Sequence, residues 1–321
     1  MNRHRVGRIL ATLIWALGAP AALAAYPEKP VKIIVSLPPG SGADTTARYI
    51  ARHLGEKLGQ PFVVENKPGA NSFIAARAVA EAPPDGYTLF VASNSPMVTN
   101  AAVYRNLPYD PARDFAPVAR IARFPMVLAV PAASPYKTLE NLVAAARNAP
   151  GKLNYASGTP TYQVALELFH ESRGIHATPI PYKGTSLAMS DLAAGSVDYT
   201  MAEVSAVMPL IRGARVRALA VSSEQRLKDL PDVPTIAESG SKGYEAFAWT
   251  GVFAPARVPE PVVSRLSKAV REVMMSAESA RFIEGLGGTV FLADPQQLRE
   301  FQLGEIERTR RIVRKAGIPQ E

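Results

Sequence analysis

Residues 31–48 read Val31-Lys32-Ile33-Ile34-Val35, then Ser36-Leu37-Pro38-Pro39-Gly40-Ser41-Gly42-Ala43, then Asp44-Thr45-Thr46-Ala47-Arg48. The first five form a short, nearly continuous apolar run rich in β-branched side chains, as buried parallel strands are. The next eight are dense in proline and glycine and read as a loop. Asp44 is then expected to cap a helix, because Ala47, Ile50, Ala51, Leu54 and Leu58 fall at i, i+3, i+4, i+7 and i+11. Gly59 and Pro61 stop that helix.

This strand–loop–helix unit recurs. Residues 62–64 are the next expected strand, followed by Lys67-Pro68-Gly69-Ala70-Asn71 and an alanine-rich helix. Pro83-Pro84-Asp85-Gly86 makes a turn, and residues 87–92 a third strand. Three such units in a row argue for an open parallel α/β sheet. A second set begins with a strand at 126–130 and a helix capped by Thr138 that uses Leu139, Leu142, Val143 and Ala146. A strand at 153–156 precedes a helix face at Tyr162, Ala165, Leu166 and Phe169. Short strands are expected at 178–181, 197–201 and 218–221, and helices at about 259–274, 277–285 and 294–316. The pattern is two α/β lobes with a helical C-terminal part. No repeat of 20–50 residues is visible, which argues against a solenoid.

The chain has 321 residues, a formal net charge of +8, 47% hydrophobic residues and 20% charged ones. That is about two domains' worth of chain, with apolar content for real cores and no composition of disorder. It contains no cysteine, which excludes thiol enzymes, iron–sulfur proteins, zinc fingers, disulfide-stapled scaffolds and an anchor through an N-terminal Cys. Arg3, Arg5 and Arg8 precede a mostly apolar run over 9–17, then Gly18, Pro20 and Ala22-Leu23-Ala24. That order is a secretory signal peptide cleaved after Ala24. A membrane anchor needs about 20 unbroken apolar residues, and Gly18 and Pro20 break this run. Cleavage removes three arginines and lowers the charge to +5. Much of the excess sits in Arg308, Arg310, Arg311, Arg314 and Lys315. With Glu307 four residues before Arg311, Gly317 and Pro319, this reads as a solvated C-terminal helix rather than a nucleic-acid arm.

Three histidines survive processing, His53, His170 and His176, and all are expected on the surface. There is no G-x-S-x-G elbow, no H-E-x-x-H and no cluster with metal spacing. Gly40 and Gly42 form a G-x-G, but Thr45 breaks the dinucleotide fingerprint and no G-K-[ST] follows. No enzyme activity, cofactor or metal is therefore expected. What remains is a set of small, polar loops after strands: Pro38 to Thr45, Ser93-Asn94-Ser95, and Ser157-Gly158-Thr159-Pro160-Thr161. In open α/β sheets ligands bind at the carboxyl ends of strands. A helix start there offers free N–H groups to a carboxylate or phosphate, glycine admits the ligand to the backbone, and hydroxyls add donors.

The chain also resembles a known family, the periplasmic substrate-binding receptors of tripartite tricarboxylate transporters, or Bug proteins. The marks are VSLPPGSGADTTAR (35–48), VVENKPGA (63–70), APPDGYTL (82–89) and NLPYDPARDFAPVA (106–119). PYKG (181–184), RALAVSSEQR (217–226), LPDVPTIAE (230–238) and FAWTGVFAP (247–255) continue the likeness to the end of the chain. The resemblance implies an α/β, two-lobed periplasmic binding protein, type II-like, with two crossings between lobes and a ligand cleft between them. It implies lobe 1 at 25–121 plus 250–321 and lobe 2 at 122–249, with crossings near 122–126 and 247–253. It further implies a small carboxylate ligand (a mono- or dicarboxylate, aromatic acid or amino acid), a monomer in the periplasm, and membrane permease subunits as partners. A sensor kinase is the alternative partner; no nucleic acid is implied.

Carried over residue by residue, the contact loops are Pro39, Gly40, Ser41, Gly42, Asp44 and Thr45, then Ser93 and Asn94. Across the cleft they are Ser157, Gly158, Thr159 and Thr161, then Tyr182, Lys183 and Gly184. This chain departs from many relatives at Asn71-Ser72, at Tyr162-Gln163, and at Glu203, where an Asp is common. Tyr162, Gln163 and Glu203 are the expected specificity positions, while Lys183 either neutralises a carboxylate or stands solvated in its turn.

Overall fold

Val31, Ile33, Ile34 and Val35 of β1 (Val31–Val35) are all buried, because β1 lies inside its sheet. β2 (Phe62–Asn66) and β3 (Thr88–Ser93) flank it, both parallel. The structure, a computed structural model, describes residues 26–320; the expected signal peptide lies outside the described residues.

The chain then departs from a purely parallel sheet. β4 (Phe115–Pro131) is a 17-residue strand that serves both lobes. From Phe115 to Pro125 it pairs antiparallel with β9 (Phe247–Pro255), which in turn lies antiparallel against β3. From Met126 onward β4 pairs instead with β7 (Tyr199–Glu203) and β8 (Val216–Val221). β5 (Asn154–Ser157) joins β7 and β6 (Thr178–Pro181) in parallel on the far side. β10 (Thr289–Ala293) adds to β4 beside Arg120–Arg123. The order is β2-β1-β3-β9-β4-β7-β5-β6. The sheet is mixed because the two strands that cross between lobes, β4 and β9, enter against the direction of the βα units.

The expected strand at 126–130 is therefore only the second half of β4. Its first half carries Pro117, Arg120, Arg123 and Pro125, which break an apolar run, and it is tolerated with bulges at 117–119 and 120–122.

The helices follow their apolar faces. α1 (Gly42–Leu58) and α2 (Phe73–Ala80) cover the first lobe with the four-residue α3 (Asn100–Val103). α4 (Leu139–Asn148) and α5 (Pro160–Arg173) belong to the second lobe. α6 (Thr185–Ala194) and α7 (Val204–Arg212) had no expected counterpart. The first has an apolar pattern too even to show one face, and the second carries Pro209 inside it. α8 (Glu260–Met274), α9 (Ala277–Gly285) and α10 (Pro295–Ala316) lie where the periodicity puts them.

α10 is solvated on one face only. Leu298, Gln302, Ile306, Thr309, Ile312 and Val313 form its buried stripe. Ile312 and Val313 meet Ala102 and Val103 of the first lobe and Val164 of the second. Glu307 pairs with Arg310 at 2.7 Å rather than with Arg311.

The surface expectation fails for His170, which is 2% exposed. Its ring accepts or donates at Tyr199 Oη (2.6 Å) and lies 3.3 Å from Glu167, which in turn accepts from Tyr155 Oη at 2.5 Å. The Glu171 neighbour that suggested solvent faces outward from the same helix turn.

Candidate ligand cleft

The loop between β1 and α1 is built by its own side chains. Ser41, in extended conformation (φ −68°, ψ 159°), is the helix cap in place of the expected Asp44, and its hydroxyl accepts the Asp44 N–H at 3.3 Å. Asp44, 3% exposed, folds back over the loop. It accepts from Gly40 N–H (2.9 Å), Arg48 Nε (3.0 Å) and Asn66 Nδ2 (2.9 Å). Burial alone would raise the pKa of Asp44, but these donors outweigh it and hold the carboxyl below its usual range. Gly40 has φ +82°, the left-handed region that lets the chain turn into the helix. Pro39 and Gly40 stay exposed, and Ser41, Gly42 and Thr45 are half-buried. The first amides of α1, at Gly42 and Ala43, have no intrahelical acceptor and a partial positive charge.

Facing this loop is the end of β7. Glu203 Oε1 accepts the Tyr162 hydroxyl at 3.1 Å, and its Oε2 lies 3.9 Å from where a Cβ on Gly42 would stand. The two lobes thus meet at Gly42 and Glu203. Burial raises the Glu203 pKa, with the Tyr162 bond opposing. Burial and the neighbouring Glu203 push the Tyr162 hydroxyl well above its ordinary value.

The β5–α5 loop is the third wall. Ser157 and Thr161 are buried, and Thr159 caps α5 by accepting Tyr162 N–H at 3.3 Å. A Cβ on Gly158 would lie 2.6 Å from Thr185 Cα, so glycine there lets this loop touch the start of α6. Thr161 Oγ1 also reaches Ser95 Oγ (3.1 Å) and Thr99 Oγ1 (3.0 Å), which join the second lobe to the first.

Several expected contacts have other partners. Asn94 is buried, accepts Trp249 N–H at 2.7 Å and donates to Phe247 O at 3.2 Å, so it stitches β3 to β9 beside half-buried Ser93. Tyr182 donates its hydroxyl to Asp191 at 2.7 Å and its N–H to Ser157 O at 2.9 Å. Gly184 turns the chain at φ +116°, and Lys183 is exposed beside it. Gln163 is half-buried on α5. Ser95, Thr99 and Thr185 were missed as neighbours of the site; Ser95 stood in a quoted loop, whereas the other two meet it only through tertiary packing. Among the described residues no cluster of His, Asp and Glu could hold a metal ion, and no helix is long and apolar enough to cross a membrane.

Two α/β lobes, two crossing strands and helix starts facing each other across the junction define a solute-binding protein of the two-lobed type. Residues 46–318 match the tripartite tricarboxylate transporter family receptor. The chain belongs to that family. It is 34% identical over 322 residues to the protein BugT of Bordetella pertussis, covering 99% of each chain. It superposes on the R. palustris protein solved with adipate at a TM-score of 0.84 and 35% identity, covering 92% of this chain and 99% of that one. It is similar also to MatC from Rhodopseudomonas palustris with bound malate, at a TM-score of 0.78 and 32% identity over 90% of this chain and 100% of that one.

Proposed function

We propose that this protein is a periplasmic receptor that captures a small carboxylate in the cleft between its lobes and hands it to a tripartite tricarboxylate-type permease. The observation that carries the reading is the start of α1: the amides of Gly42 and Ala43 lack an intrahelical acceptor, the Asp44 bonds fix the loop before them, and Gly42 stands opposite Glu203 of the second lobe. Adipate and malate, bound in two similar proteins, are acids that such amides suit. The lobes divide at 25–121 with 250–321 and at 122–249. The exchange of β4 partners between Pro125 and Met126 supports that division. Location in the periplasm is supported by the leader pattern before Ala25. In this reading the chain acts as a monomer and turns nothing over, and the hydroxyls, amides and Glu203 carboxyl of the cleft serve to bind.

Thermal shift against mono-, di- and aromatic carboxylates and amino acids tests this reading, with native mass spectrometry of the protein as purified to find a retained ligand. A ligand at 100 times its Kd adds about 2.7 kcal/mol, a rise of several degrees for a chain of this size. If no acid on the panel shifted the melting temperature and no ligand were retained, the carboxylate assignment would be wrong.

A further inference from the structure

Glu203 stands at the last position of β7, where the second lobe faces the start of α1. One oxygen accepts a hydrogen bond from the buried Tyr162 hydroxyl, and the other faces Gly42 across the junction. A tyrosine hydroxyl has a single proton to give, whereas a carboxylate can accept about four hydrogen bonds. Among the described residues Glu203 has no ion-pair partner, and the Tyr162 hydroxyl is what favours its charged form against burial. The cleft therefore contains a carboxyl group with accepting capacity to spare, next to the amides that suit a ligand carboxylate.

Two consequences follow for a ligand entering there. A second carboxylate brought toward Glu203 meets a like charge in a partly desolvated place, which disfavours both ionised forms. An ammonium or hydroxyl on the ligand instead supplies the donor that Glu203 lacks, and a buried polar site rejects analogues without the matching group. We propose that Glu203 is the specificity determinant of this cleft, selecting acids that carry a hydrogen-bond donor beside the carboxylate (amino acids and hydroxy acids) over the same carbon chains without one. The proposal rests on the carboxylate reading given above.

Matched triplets that differ at one carbon in H, OH or NH3+ test it by titration calorimetry. Suitable sets are succinate, malate and aspartate; glutarate, 2-hydroxyglutarate and glutamate; propionate, lactate and alanine; and phenylacetate, mandelate and phenylglycine. Within whichever triplet binds, the wild type should prefer the amino or hydroxy member by about tenfold, or 1.4 kcal/mol. Glu203→Gln loses the charge, and whichever way its amide turns it can still pair with a hydroxyl, which both donates and accepts, so it should remove the preference for the amino member and leave the hydroxy preference largely intact. Glu203→Ala, confirmed as folded by circular dichroism, should remove both. The proposal is overturned if the unsubstituted member binds as tightly as its partners, or if the ratios are the same in all three proteins. Absence of binding by every triplet would overturn the carboxylate reading beneath it, which is a separate result.

Discussion

Asp44 lies in the loop that meets Glu203 across the lobes, yet the surroundings of the two carboxyl groups drive them in opposite directions. Asp44 is buried but receives Gly40, Arg48 and Asn66 as donors, and its pKa falls. A depressed acid contributes stability that is present above its unfolded pKa, about 3.9, and lost as pH falls through its lower folded value. Asp44→Ala should cost about 1–2 kcal/mol at pH 7, since it removes the acceptor that the Gly40 amide, Arg48 and Asn66 share. The deficit should shrink toward pH 3, which chemical denaturation at both pH values measures. Glu203 is the reverse case. Its folded pKa is raised by burial, so the charged form opposes folding once pH rises above the unfolded value near 4.3. Glu203→Gln should therefore raise the melting temperature at pH 7 and leave it unchanged at pH 4. A destabilised Glu203→Gln at pH 7 would show that the carboxylate has a stronger partner than Tyr162. Neither sign was legible in the sequence. In Ser41-Gly42-Ala43-Asp44 both Ser41 and Asp44 are good caps, and the extended backbone at Ser41 decides between them.

At the scale of elements, the glycines and the last helix carry the tests. Gly158 leaves only 2.6 Å for a Cβ against the backbone of Thr185. Gly158→Ala must push apart the β5–α5 loop and the start of α6, so it should lose ligand affinity and stability together. Gly42→Ala meets ordinary contact at 3.9 Å and should fold normally. Thr159→Val removes the cap of α5 and should cost about 1 kcal/mol of stability, whatever it does to binding. In α10, Ile312 is 4% exposed between the two lobes, and Ile312→Ala should cost about 2–4 kcal/mol. Lys315→Ala, which breaks a pair with Glu171 between exposed side chains, should change stability by less than about 1 kcal/mol. The strand–loop–helix units could be read because each has its own period and its own proline–glycine stop. β10 could not, because its half-exposed residues owe their strand to pairing with Arg120–Arg123. His170 was misplaced for a related reason: a neighbouring Glu171 suggests solvent, but helical geometry turns adjacent residues to different faces.

For the whole molecule the question is what holds the lobes together. Several contacts cross between them apart from any ligand, among them Glu203 with Gly42, Thr161 with Ser95 and Thr99, and Gly287 with Val204, beside the contacts α10 makes through Ile312, Val313 and Lys315. The third touches no binding loop directly, although Val204 follows Glu203 in the chain. Gly287 lies in the turn between α9 and β10, and a Cβ there would come within 2.8 Å of the Val204 side chain at the start of α7. Val204 is 4% exposed, so it has little freedom to retreat. Gly287 also has φ +77°, where a side chain adds backbone strain of its own. Gly287→Ala should wedge the lobes apart while leaving the chemical groups of the cleft in place. Apparent affinity is the intrinsic affinity reduced by the closed fraction, so a mutant with one tenth of the molecules closed should bind about tenfold more weakly. Small-angle scattering should report a larger ligand-free radius that contracts at saturating ligand, because binding still draws on the closed form. Local strain predicts a different outcome, since it would lower stability and leave the radius alone. Val204→Ala combined with Gly287→Ala separates the two. Removing the obstructing methyl groups should recover most of the lost affinity if the wedge is the cause, and recover none if backbone strain at Gly287 is.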